Sequence, residues 1–231
     1  MTNEPLTQAV EDYLKAIYDL TESHSRVTTR QLAERMGVAP ASVTGMLQRL
    51  AAGDPPLVEY QKHRGAALTP AGRRAALEVI RHHRLLETYL QHVLGYSWDE
   101  VHAEADRLEH VISEELEERI ARALGDPQTD PHGEPIPTRD LTMAQTHRVR
   151  LEELHPGQEA TVQRVGDTSQ EMLRYLGEIG LVPGARVRVL KRHPIDGNLS
   201  LKIGSQEITL GPRITGTIFV RVNPPYPQTS K

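Results

Sequence analysis

Residues 26–52 constrain the fold more than any other stretch of this 231-residue chain. Thr28 or Thr29 can cap a short helix, TTRQLAERM, and Gly37 stops it by taking a backbone conformation other residues resist. Pro40 then fits the first turn of a second helix, PASVTGMLQRL. Two short helices about a tight glycine-containing turn are a helix-turn-helix signature. The second helix keeps Val43, Met46, Leu47 and Leu50 for a core. Its other side offers Pro40, Ala41, Ser42, Thr44, Gly45 and Gln48. Small side chains let a helix lie deep in a major groove, and Ser, Thr and Gln reach base edges or phosphates. The alternative is an ordinary hairpin in a helical bundle.

The next segment, LVEYQKHRGAALTPAGR, favours DNA. Residues 57–61 and 66–69 read as two strands with Lys62-His63-Arg64-Gly65 at the tip. A basic hairpin after a helix-turn-helix is a wing, whose cations lie along phosphates. Thr28, the exposed residues of the second helix, Lys62 and Arg64 are the candidate DNA contacts. A formal net charge of −4 argues against nucleic acid, but the charge is uneven. Residues 1–74 hold nine basic and eight acidic side chains, and a balanced domain still binds DNA if its cations share a face.

Before this block, residues 5–23 read as a helix, with Pro5 in the first turn and Asp12 off the apolar stripe. After it, Thr69-Pro70 opens a long helix to about His92, on which His83 and Glu87 stand at i, i+4. Next comes VHAEADRLEH. Given helical spacing, Asp106, Glu109 and His110 fall at i, i+3 and i+4 on one face, with His102 near its edge. Two carboxylates and an imidazole are an ordinary ligand set for a divalent first-row metal. The alternative is a solvated acidic face, since Asp99, Glu100, Glu104, Glu114 and Glu115 crowd the same region. SEELEERIARAL follows as an amphipathic helix whose stripe of Ile112, Leu116, Ile120 and Leu124 suits either a core or a dimer surface.

From Gly125 the texture changes. GDPQTDPHGEPIPTRDL is rich in Pro and Gly and excludes a long helix, and His132 in it reads as a loop histidine, with a metal ligand as the alternative. Residues 141–156 read as a linker. Five short strand-like runs and one helical run then indicate a small antiparallel barrel within 157–224. The chain has no cysteine, so any metal binds through oxygen and imidazole. No stretch is apolar enough to span a membrane and no signal peptide is evident, so the expected location is the cytoplasm.

The motifs EDYLKAIYDL, GVAPASVTGMLQRL, HRGAALTPAGR, RHHRLLE, VHAEADRLEHVISEELEERI and DPHGEPIP together resemble the diphtheria-toxin-repressor family of metal-dependent regulators, closest to its manganese-responsive branch. The C-terminal part resembles the SH3-like, FeoA-type domain of longer members. The resemblance implies a mainly α chain with a small all-β domain: a winged helix-turn-helix over 1–74, a helical metal-binding and dimerisation domain over 75–140, a linker over 141–156, and an SH3-like domain over 157–224. It implies two metal sites. The primary one would use Asp12, Asp106, Glu109 and His110. The second would use His83, Glu87 and His102, completed from the C-terminal domain by Glu171, with Asp167 and Gln170 beside it.

Iron-responsive members carry methionine and cysteine where Asp12 and Asp106 stand; carboxylates suit a harder ion, so Mn²⁺ is expected, with Fe²⁺ the alternative. Short manganese regulators place a glutamate at the position of Lys15, which argues against a dinuclear site here. Arg84 matches an anion-binding loop of some iron members, but Asp130 and Glu134 replace its neutral residues. The implied function is a homodimer that reads palindromic operator DNA when metal is bound, with no membrane and no small organic substrate involved. A metal-dependent hydrolase and a winged-helix regulator without metal response are the rival readings.

Overall fold

The computed structural model describes residues 6–21, 25–145, 149–166 and 169–224. It divides into two compact units. One comprises residues up to His83 together with 106–117 and 137–143; the other comprises 84–105, 118–136 and the chain from Ala144.

The first unit is built on the winged helix. Helix α1 spans Gln8–Thr21, α2 Thr29–Met36 and α3 Pro40–Ala52. Pro5 lies outside the described residues. Thr28 caps α2: its hydroxyl accepts from the Gln31 backbone N–H while the Gln31 side chain accepts from the Thr28 N–H, a reciprocal capping box. Gly37 ends α2 at φ 65°. Strands β1 (Val58–Gln61) and β2 (Gly65–Leu68) pair antiparallel, Val58 opposite Leu68 and Gln61 opposite Gly65, so Lys62, His63 and Arg64 form the tip. Gly65 is held at φ 85°, and a Cβ there would sit 2.4 Å from the Val27 carbonyl oxygen, so the wing closes onto the chain before α2 only with glycine. Val10, Tyr13, Leu14 and Ile17 of α1, Leu32 of α2 and Val43, Leu47 and Leu50 of α3 share one core. Movement of α1 is therefore felt by α3, because close-packed interiors transmit strain.

Helix α4 (Pro70–His92) contributes residues to both units. Helix α5 spans Val101–Leu108 and α6 Glu114–Ala123. Here the structure corrects the continuous helical spacing expected from the sequence: α5 stops at Leu108, and Glu109, His110 and Val111 form a turn. Ser113 explains the break. Its hydroxyl caps α6, accepting from the Leu116 N–H at 3.3 Å, and Glu114, Glu115 and Glu117 crowd that helix's first turn, where the dipole favours anions.

In the second unit, β3 (Glu159–Val165), β4 (Arg186–Arg192), β5 (Leu199–Ile203), β6 (Gln206–Leu210) and β7 (Ile218–Val222) form an antiparallel sheet in the order β6-β5-β4-β3-β7. Helix α7 (Gln170–Glu178) follows β3 and a short α8 (Pro212–Thr215) precedes β7. Inward residues alternate along the strands, with Ala160, Val162, Val187, Val189, Leu199, Leu201 and Val220 in a core closed by Leu173 and Leu176 of α7. Register shifts after Val162 and after Val189 bend the strands around it. No described helix is long and apolar enough to cross a membrane.

Candidate metal centres and DNA-facing surface

In the first unit, Asp12, Glu109 and His110 bring ligand atoms within 4.8 Å of one another. Asp12 comes from α1; the other two come from the turn after α5. His110 Nε2 lies 3.0 Å from Asp12 Oδ1 and 3.3 Å from Glu109 Oε1, and its other nitrogen, Nδ1, lies 2.6 Å from Glu11 Oε2. With the ring proton on Nδ1 and donated to Glu11, the Nε2 lone pair faces the two carboxylates. That is the orientation by which an outer carboxylate prepares a metal-ligating histidine. Glu11 is the residue that sequence spacing misses here; it stands beside Asp12 and gives no periodic signal.

Asp106 is placed differently. Lys15 Nζ lies 3.1 Å from Asp106 Oδ1, 2.8 Å from Glu109 Oε2 and 3.1 Å from His83 Nδ1. His83 Nδ1 in turn lies 2.5 Å from Glu109 Oε2 and 3.3 Å from Asp106 Oδ1. The first unit thus holds a fixed ammonium among groups of ligand type. Burial opposes the charge on Lys15, but Glu109 and Asp106 outweigh it and raise its pKa. Burial likewise opposes ionisation of Glu109, and His83 and Lys15 overcome it, holding that carboxyl below its usual range. Asp12 is raised, mainly by burial. Two carboxylates and an aligned imidazole fit a hard divalent ion, and the donor set contains no sulfur.

The second unit holds another cluster. Glu87, Asp130 and His132 are all buried and bring ligand atoms within 4.8 Å of one another. His132 Nδ1 is 3.7 Å from Glu87 Oε2, while its Nε2 is 2.8 Å from the Trp98 carbonyl oxygen. His102 Nδ1 is 3.0 Å from Glu87 Oε1. The loop carrying Asp130 and His132 is pressed onto β3: the Val165 N–H donates to the His132 carbonyl at 2.9 Å. A Cβ on Gly133 would fall 2.0 Å from the Gln163 carbonyl oxygen, so only glycine allows this approach. The loop is also held by ion pairs from Arg84 to Asp130 and Glu134, and from Arg164 to Glu134. Burial, then the charge of Glu87, push the Asp130 carboxyl up to about 7. Burial disfavours the His132 imidazolium, but Glu87 and Asp130 reverse that and lift it to about 9.

Of the second set expected from the sequence, Glu87 and His102 meet at 3.0 Å, and His83 Nδ1 also faces Glu109 Oε2 at 2.5 Å. Glu171 is exposed in the first turn of α7 and belongs to no cluster of ligand-type side chains among the described residues; Gln170 begins the same helix. Asp167 lies outside the described residues. Asp130 and His132 take the place near Glu87. Their signal was the Pro- and Gly-bounded DPHGEPIP loop itself, which buries a carboxylate and an imidazole where loops ordinarily expose them.

The candidate DNA contacts stand on one helix, its neighbour's cap and the wing. Pro40, Ala41, Ser42, Gly45 and Gln48 are exposed on α3; Thr44 is half-buried, its hydroxyl donating to the Pro40 carbonyl at 3.0 Å. Thr28, Lys62 and Arg64 are exposed as well.

Comparison with known proteins gives three family matches along the chain. Residues 5–66 match the iron dependent repressor N-terminal DNA binding domain, 69–138 the iron dependent repressor metal binding and dimerisation domain, and 149–222 the FeoA domain. The iron-dependent repressor IdeR of Mycobacterium leprae (strain TN) is 35% identical over 218 residues, which is 89% of this chain and 93% of that protein. Among solved structures, a manganese-dependent transcriptional repressor in complex with manganese is similar at TM-score 0.85 and 41% identity, covering 93% of this chain and 100% of the other. The manganese regulator SloR is similar at TM-score 0.78 and 30% identity, covering 94% and 100%.

Proposed function

We propose, from the premise that this chain belongs to the iron-dependent repressor family, that it is a Mn²⁺-responsive repressor that binds palindromic operator DNA as a homodimer in the cytoplasm. The family is one of metal-dependent transcriptional repressors and not of enzymes. The domain division of the reading is 1–74 for DNA, 75–140 for metal and dimerisation, 141–156 as linker and 157–224 as the FeoA-type domain. Fe²⁺ is the alternative ion.

One observation carries the reading. Asp12 sits on α1, whose apolar face packs against the core of α3, and its carboxylate meets His110 from the turn after α5. Asp12, Glu109 and His110 would hold the first ion, with Asp106 beside them on Lys15. Glu87, Asp130 and His132 would hold a second, with His102 on Glu87. A divalent ion supplies positive charge that turns the repulsion between Asp12 and Glu109 into shared coordination. Asp12 is then drawn toward the 109–110 turn, and α1 carries α3 with it. A ligand that binds the DNA-competent arrangement better shifts the population toward it. In that arrangement Ser42, Thr44 and Gln48 read the groove, and Lys62, Arg64 and Thr28 contact phosphates.

The test begins with duplexes selected from a random pool by the full chain in Mn²⁺. The selected duplex is then titrated in Mn²⁺, Fe²⁺, Zn²⁺ and chelator. Binding in Mn²⁺ but not in chelator is expected. Equal affinity in all four overturns the sensor reading, and strongest activation by Fe²⁺ overturns the choice of metal.

A further inference from the structure

A third cluster in the first unit takes no part in either set above. His82, Glu114 and Glu117 bring ligand atoms within 4.8 Å of one another. His82 Nε2 lies 3.0 Å from Glu117 Oε2 and 3.7 Å from Glu114 Oε1. Glu78, one turn earlier on α4, hydrogen-bonds Glu114, and its pKa is raised by burial and then by that neighbour. The cluster therefore holds three carboxylates, and the guanidinium of Arg81 meets one of them, Glu117 Oε1, at 2.6 Å.

The imidazole is what distinguishes this cluster from an acidic surface patch. The His82 side chain is only 10% exposed, and its Nε2 is buried without an aligned hydrogen-bond partner. Its Nδ1 lies 3.1 Å from the Glu109 backbone carbonyl. With the Nδ1 proton donated there, Nε2 keeps its lone pair and lies 3.0 Å from Glu117 and 3.7 Å from Glu114. Metal-ligating histidines are held in the same way, one nitrogen on a carbonyl and the other on the ion.

We propose that His82, Glu114 and Glu117, with Glu78 as a fourth donor, form a further divalent-cation site. One imidazole and up to three carboxylates, with no sulfur, suit Zn²⁺ or Mn²⁺. Bonds of about 2.0–2.2 Å put adjacent ligand atoms about 3 Å apart, so the observed 3.0 and 3.7 Å separations need only small side-chain shifts. Glu117 is already steadied by Arg81, and Glu114 is exposed enough to swing onto an arriving ion. An ion there also fixes the His82 ring that holds the Glu109 carbonyl, and so steadies the turn that carries Glu109 and His110.

The inference does not depend on DNA binding, and its test uses metal alone. Equilibrium dialysis of the full chain against Zn²⁺ and against Mn²⁺, with bound metal counted, compares wild type with Glu114→Gln and His82→Gln. Each variant is expected to lose one ion per chain or to weaken one class of ion by about tenfold or more, the scale of losses around metal sites. The other ions remain. Glu114→Gln changes an exposed side chain and keeps its shape, so it guards against a folding defect in the histidine variant. Unchanged isotherms in both variants overturn the proposal. Crystals grown with Zn²⁺ are expected to show an anomalous peak at bonding distance from His82 Nε2; peaks at the other clusters with none here overturn it equally.

Discussion

The cluster around Asp12 and the cluster around Glu87 use similar side chains and balance their charge in opposite ways. The first keeps a permanent cation: Lys15 reaches Glu109 at 2.8 Å and Asp106 at 3.1 Å, and Glu109 stays ionised. The second is fully buried and relies on protons, with Asp130 pushed to about 7 and His132 to about 9. A lysine cannot be titrated away at neutral pH, whereas protons are displaced by metal. The charge that Lys15 brings to the first cluster therefore does not change near neutral pH, whereas the charge of the second cluster does.

The largest expected effect breaks the first cluster alone. His110→Ala removes the nitrogen that joins Asp12 to Glu109, and Mn²⁺ affinity of one class of site should fall well over tenfold, since losses in the outer shell alone cost about 10–100-fold. Metal-stimulated DNA binding should go with it. Isothermal titration with Mn²⁺ checks this, and an unchanged isotherm removes His110 from the site. The matching change in the second cluster, His132→Gln, should weaken the other class by about tenfold or more while the first class keeps its affinity. Loss of both classes together would show that the clusters are not independent.

The pH response sharpens the contrast. His132 in the folded chain holds its proton to about 9, above an unfolded value of about 6.5. Its stabilising contribution is complete below that unfolded value and is lost as pH rises through 9. Asp130 also favours its protonated form, so its contribution is lost as pH rises from about 4, the unfolded value, toward 7. Both run the same way. In chelator, the melting midpoint should fall from pH 6 to pH 9, and bound Mn²⁺ should reduce the fall. A midpoint that rises over this range without metal would contradict the proton-balanced account.

The smallest effect concerns metal choice. Asp12→Met replaces a hard anionic donor by a neutral thioether, so Mn²⁺ should lose more than Fe²⁺. The activation midpoints for the two ions, Fe²⁺ measured without oxygen, should change in ratio by a few-fold, the sense set by ligand softness. A constant ratio would show that Asp12 does not set the preference.

Much of this was legible before any coordinates. The winged helix was, because its capping residues, its glycine turn and its apolar period agree with one another. Asp12 could be paired with Glu109 and His110 only through family likeness, since no periodicity links residues so far apart on the chain. The end of α5 at Leu108 was hidden because the apolar and acidic pattern runs on through His110, and only the Ser113 cap marks the break. The Glu87 cluster was hidden for a different reason. Asp130 and His132 lie in a proline-rich loop, and their burial depends on that loop resting on the β3 backbone, a contact that neither segment signals alone. Lys15 registers in the sequence only as the residue in place of a glutamate, and its contacts with Asp106 and Glu109 emerge only in the fold.

The central claim is that metal reaches the recognition helix through Asp12. The measurement that tests it most directly is the affinity of the full chain for a selected duplex in saturating Mn²⁺ and in chelator, for wild type and Asp12→Ala. The account predicts a large gain on adding Mn²⁺ for wild type. It predicts little gain for Asp12→Ala, even at Mn²⁺ concentrations where the variant still binds metal. A variant that binds Mn²⁺ and gains affinity for the duplex as wild type does would contradict it.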